Sequence, residues 1–166
     1  LEGLRSGVEE AIVALGQGFL SHPANQALRQ QLKNGKLDRQ QYFRQLLRLV
    51  YRLIFLFVAE DRDLLLQPEA GPAERERYLK YYSTARLRRL AERQRGGRHP
   101  DLWQGLKLLT DLLAGNIPGG WEIGLPVWGG FLFSHKALPD LEAQLAGESG
   151  QPFPVDSSKD GNLKEA

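Results

Sequence analysis

The chain has 166 residues, 42% of them hydrophobic, which is enough for one compact core. It contains no cysteine, which excludes disulfides and thiolate metal sites; a reducing compartment fits, and the cytoplasm is the expected location. The net charge of +2 excludes no class of partner, but its placement is uneven: from Ala73 to Arg98 nine Lys or Arg stand against three Glu, a local balance of +6 that leaves about −4 elsewhere.

The sequence opens on Leu1 and holds no methionine, which predicts a piece of a larger intracellular protein. No basic segment followed by an apolar core and a small-residue cleavage site opens it, so no secretion signal is expected. The longest uncharged apolar run, Leu53 to Ala59, would rise only about 10 Å as a helix, against roughly 30 Å of bilayer hydrocarbon. That run reads as buried core, and no membrane partner is expected.

In chain order, Leu4, Val8, Ala11, Ile12, Leu15 and Phe19 recur at three- and four-residue steps and predict a first helix from Leu4 to Phe19. Ser21-His22-Pro23 breaks it, and Asn25 is placed to cap a short second helix through Leu32 that ends near Asn34-Gly35. An antiparallel hairpin is the expected arrangement of this pair. A third helix runs from Arg39 to Arg62, with Asp38 as N-cap and Gln41 in a capping-box position. Its apolar residues cover most of the circumference, so it should be central, with one polar stripe of Arg44, Arg48 and Arg52 continued by Glu60.

Gln67 to Pro72 reads as a linker. Helices follow over Ala73–Tyr82 and Thr84–Gln94, parted at Ser83, which is placed to cap the second; Gly96-Gly97 ends it. The next runs from Pro100 to Ala114 with Leu102, Trp103, Leu106, Leu109, Leu112 and Leu113 inward, stopping at Gly115-Asn116. From Ile117 to Phe133 glycine, proline and large apolar residues exclude a long helix. Trp121, Trp128, Phe131 and Phe133 should pin an ordered loop to the helical body, with room for one short strand. A last helix spans Asp140 to Ala146, and a linker-like polar tail occupies residues 147–166. The fold class expected is mainly α: one multi-helix domain over 1–146, without internal repeats.

No phosphate-binding loop, dinucleotide-type glycine pattern, zinc spacing or serine nucleophile elbow occurs. His22, His99 and His135 lie apart, none with a metal-ligand neighbour at suitable spacing, and surface or capping roles are expected. Glu60, Asp61 and Asp63 are interrupted by Arg62 and read as an ion-paired helix end. The Arg44, Arg48, Arg52 stripe is read as structural, its stems over the core and its heads paired with Glu60 or acids of a neighbouring helix. Tyr78, Tyr81, Tyr82 and Leu79 are expected to pack, at least two of the tyrosines inward. No catalytic, cofactor-binding or metal-ligating residue is assigned.

The basic helix is the phosphate candidate. Arg86, Arg89 and Arg93 share a face opposite Leu87, Leu90 and Ala91, with Lys80 and the Tyr81-Tyr82 pair close by in sequence. Such a cluster suits the sequence-independent backbone contacts of duplex DNA.

One resemblance adds to this reading. Leu46-Leu47-Arg48-Leu49-Val50-Tyr51-Arg52-Leu53-Ile54-Phe55-Leu56-Phe57-Val58-Ala59-Glu60-Asp61-Arg62 resembles the helix preceding the adenine-specific methyltransferase domain of large bacterial restriction-modification proteins. Tyr81-Tyr82-Ser83 before Leu87-Arg88-Arg89-Leu90-Ala91, then Leu102-Trp103, then Gly124-Leu125-Pro126 with Gly129-Gly130-Phe131-Leu132-Phe133, are similar to further landmarks of that region in the same order. The resemblance spans Val8 to Leu141. It implies a parent that binds duplex DNA and methylates adenine with S-adenosylmethionine, with Mg and DNA cleavage as further options. The family's Asn-Pro-Pro-aromatic signature, its methyl-donor glycine motif and a Pro-Asp/Glu-x-Lys nuclease set cannot be placed on this chain, so no cofactor is expected here. The resemblance implies a helical spacer or DNA-clamping segment partnered by duplex DNA and the parent's other domains, and the local charge adds Lys80, Tyr82, Arg86, Arg89 and Arg93 as its phosphate-contact residues. An architectural or protein-interaction domain is the alternative; it would show an exposed apolar patch and basic side chains already paired.

Overall fold

The structure, a computed structural model, describes residues 2–93 and 99–143, and over them the chain is mainly α-helical with no strand. The end of the basic helix with Arg95 and Arg98, the stretch of the last helix beyond residue 143, the tail and the domain boundary at 146 lie outside the described residues. Seven α-helices follow one another: α1 (Glu2–Ser21), α2 (Gln26–Lys33), α3 (Arg39–Asp61), α4 (Pro72–Tyr81), α5 (Thr84–Arg93), α6 (Asp101–Ala114) and α7 (Pro139–Ala143). Short 3-10 turns occupy Pro23–Asn25, Gly120–Ile123, Phe131–Phe133 and His135–Ala137. No helix among the described residues is long and apolar enough to cross a membrane.

α3 is the organising element. Its first turn is closed by the Asp38 carboxylate, which accepts from the Gln40 N–H at 3.1 Å. Gln41 does not complete a capping box among the described residues; it lines a polar hollow with Arg44, Gln45, Arg48 and Asp140. Downstream, α3 touches α1, α5, α7 and the 131–133 turn, and buries Leu46, Leu49, Val50 and Leu56. It is not enclosed on every side: Tyr51, Phe55 and Val58, at i, i+4 and i+7, stay about half exposed on one stripe.

The core falls into two clusters. Ile12, Phe19, Leu28, Leu46, Leu49 and Leu141 join α1, α2 and the first half of α3 to α7. Leu56, Leu65, Tyr78, Leu109, Leu113 and Leu125 join the end of α3 to α4, α6 and the glycine-rich loop. Leu106 packs against both, so α6 ties them together. α1 lies mainly along α3 rather than forming a broad hairpin with α2. Gly16 permits this approach: a Cβ there would stand 3.0 Å from Leu46 Cδ1, and its carbonyl accepts the Tyr42 hydroxyl at 2.8 Å.

Two local expectations are corrected. Asn25 makes no side-chain cap on α2; its amide nitrogen donates to the Phe19 carbonyl at 2.9 Å, while Arg29 donates to the carbonyls of Leu20 and His22, each at 2.8 Å. The carbonyls left open at the end of α1 are satisfied by these donors, and the Asn25 side chain is held toward α1 rather than over the α2 amides. His22 caps the preceding 3-10 turn Pro23–Asn25, its Nδ1 accepting from Ala24 N–H at 3.3 Å. In the loop after α6 the short strand is absent, replaced by 3-10 turns entered or left through Gly119, Gly124 and Gly130 at positive φ. A 3-10 turn repeats every three residues, so Gly120 and Ile123 turn inward while Trp121 points out. Phe133 is likewise buried and Phe131 exposed, so of the four expected aromatic pins only Phe133 and half-buried Trp128 hold, with Ile123 and Leu125 as the other anchors.

Candidate phosphate-contact surface and the buried charge network

The basic helix is held from below by an acid. Ser83 caps α5, its hydroxyl accepting from Arg86 N–H at 3.2 Å and donating to the Leu79 carbonyl at 2.8 Å. Glu60, at the end of α3, accepts from the N–H groups of Thr84 and Ala85 at 2.7 and 2.8 Å, and from the Tyr78 hydroxyl. A carboxylate on the first two amides of a helix is favoured by both hydrogen bonding and the helix dipole. Burial and the neighbouring Glu60 push the Tyr78 hydroxyl pKa far up. Glu60 therefore belongs to the α5 cap and not to the arginine stripe of its own helix.

α5 packs on α6, where Gly105 leaves room for Leu87, and on α3, where the Arg88 guanidinium lies 4.7 Å from the Phe57 ring centroid. Arg88 also pairs with Asp61 at 3.0 Å, and Arg75 with Asp63 at 2.8 Å, so these two acids at the end of α3 are ion-paired as expected, whereas Glu60 meets backbone amides instead. Arg77 donates to the Glu122 carbonyl. Arg86, Arg89 and Arg93 differ: at i, i+3 and i+7 on α5 they form one row, Arg86 partly buried and the other two exposed. Among the described residues no carboxylate or carbonyl holds any of the three. Lys80 lies in the last turn of α4 with its ammonium 5.2 Å from the exposed Tyr81 ring. Tyr78 is buried and Tyr82 packs partly into the second cluster, so Tyr82, like Arg86, is part-buried, while Lys80, Arg89 and Arg93 are exposed.

Two residues of the Arg44, Arg48, Arg52 stripe are held by the fold, and the acid that Arg52 meets is Glu142. Arg52 is 2% exposed; it pairs with Glu142 at 2.8 Å and donates through Nε and Nη2 to the Leu132 carbonyl at 3.0 and 2.7 Å. Arg48 donates to the Ala137 carbonyl at 3.1 Å and lies 5.0 Å from the Phe131 ring centroid, while Arg44 stays exposed. These bonds pin residues 131–142 to α3. His135, isolated in sequence, is not isolated in space: Nδ1 lies 2.6 Å from Glu142 and Nε2 3.5 Å from Asp111. The two carboxylates address opposite ring nitrogens and do not converge on a common point; among the described residues no group of three His, Cys, Asp or Glu is disposed to hold a metal ion.

Against known proteins, no family model, curated sequence or solved structure matches this chain.

Proposed function

We propose that this chain is a noncatalytic helical segment of a bacterial restriction-modification protein, and that it grips the DNA backbone through Arg86, Arg89 and Arg93 with Lys80 and Tyr82. One observation carries the reading. The arginines of this region that neighbour an acid or carbonyl are engaged by it, whereas the row on the outer face of α5 has no such partner among the described residues. Unneutralised guanidinium groups at helical spacing suit successive phosphates, which are recognised without regard to base sequence. S-adenosylmethionine and Mg belong, on this reading, to other parts of the parent protein.

A second reading, an architectural or protein-interaction domain, is favoured by the half-exposed stripe of Tyr51, Phe55 and Val58, against which Trp128 stacks edge-on to Phe55 at 5.2 Å. A fluorescence titration of labelled duplex at about 50 mM salt separates the two. Saturable binding that disappears when Arg86, Arg89 and Arg93 all become Glu supports the backbone-contact reading. No binding by the unaltered chain favours the architectural one.

A further inference from the structure

A hollow of about 390 Å³ lies between α1, α3, α5 and α6, large enough for a small organic molecule. Phe19, Leu53, Phe57, Leu87 and Leu106 make its walls almost wholly apolar. Buried polar groups nearly always find partners, so those that do not are informative. Among the described residues five buried side-chain polar atoms lack one, and four belong to residues that wall this hollow: Asn25 Oδ1, Thr84 Oγ1, Arg88 Nε and Trp103 Nε1. Asn25 and Thr84 are 1% and 0% exposed, so neither is relieved by open solvent.

The four fall into two pairs. Trp103 stands edge-on to Phe19 with ring centroids 5.0 Å apart, and the Asn25 amide nitrogen is bonded to the Phe19 carbonyl, so both residues adjoin Phe19. Thr84 and Arg88 are one turn apart on α5, with Arg88 over Phe57, so both residues belong to the α3–α5 side of the hollow. Each pair offers at least one donor and one acceptor, and aromatic and aliphatic walls separate them.

We propose that this hollow binds a small aromatic molecule carrying a hydrogen-bonding group at each end. The aromatic body fills the apolar middle, one polar end meets Trp103 and Asn25, and the other meets Thr84 and Arg88. The four atoms are covered by the wall, so binding turns these side chains toward the occupant, a rotamer adjustment of the kind common at binding sites. None of Arg86, Arg89 and Arg93 lines the hollow, so the site stands independently of the phosphate-contact reading.

The probe is 6-hydroxy-2-naphthoate, titrated calorimetrically into the whole chain. The result expected is saturable one-to-one binding below about 1 mM, weakened roughly five- to tenfold in Thr84→Val, which removes one orphaned group at nearly constant shape, and in Trp103→Phe, which removes the indole N–H together with the ring that bears it. Thr84→Val should melt no lower than the unaltered protein without probe, because its hydroxyl has no internal partner to lose. Absence of saturable binding, affinity unchanged in both variants, or a Thr84→Val protein that melts several degrees lower would each overturn the assignment.

Discussion

Removing the Glu142 carboxylate should unfasten residues 131–142 from the central helix. Arg52 and Glu142 are 2% and 7% exposed, and their 2.8 Å contact joins α3 to α7. Glu142→Ala leaves a buried guanidinium whose remaining acceptor is mainly the Leu132 carbonyl, and an uncompensated buried charge costs about 3–5 kcal/mol. For a chain of 166 residues, each kcal/mol lowers Tm by about 2–4 °C, so the melt should fall by roughly 6–20 °C. Glu142→Gln keeps an acceptor and should lose less. The pair Arg52→Met with Glu142→Leu removes both charges and should recover most of the loss, since well-packed apolar replacements of buried ion pairs are often neutral. The assay is thermal unfolding followed by circular dichroism at 222 nm. If Glu142→Ala melts within a degree or two of the unaltered protein, the pair does not hold the 131–142 segment and the reasoning fails.

Three further perturbations test other joints. Glu60→Ala removes the acceptor for Thr84 N–H, Ala85 N–H and the Tyr78 hydroxyl, and should cost about 2–4 kcal/mol, read by urea unfolding. Gly115→Ala meets both a φ of +75° and a Val127 Cγ1 that would lie 2.9 Å from the new Cβ; a loss of about 1–3 kcal/mol in the same assay is expected. Burial pushes the Tyr42 hydroxyl up to about 12 from its ordinary value near 10, so the neutral form is the one the fold favours. Its contribution is complete below about pH 10 and declines as pH rises toward about 12, and Tyr42→Phe should show a shallower alkaline loss of stability over that window.

The local signals in the sequence fared differently from the long-range ones. α3 is legible because Asp38 immediately precedes it and the apolar periodicity runs through its own 23 residues, and the break at Ser83 and the stop at Gly115 are equally local. The arginine stripe is recognisable as structural from its spacing on an apolar helix, but Glu142 lies 90 positions from Arg52, and no local pattern points to it. Glu60 misleads in the opposite way: its four-residue step suggests a partner on α3, whereas tertiary packing gives it to the amides that open α5, 24 and 25 residues on. The loop aromatics were expected to face inward by composition, and the three-residue repeat of 3-10 turns decides instead, leaving Trp121 and Phe131 outside. The hollow between α1 and α5 has no sequence signal, because its walls come from four separated helices and its mark is missing hydrogen bonds.

The central claim is that the outer row of α5 meets phosphates, and its most direct test is the salt dependence of duplex binding. Each phosphate neutralised contributes about −0.9 to the slope of log K against log salt concentration on duplex DNA. With Arg86, Arg89 and Arg93 replaced by Gln, the slope should become shallower by about 2–3 while binding remains indifferent to base sequence. An unchanged slope in the triple variant would contradict the account.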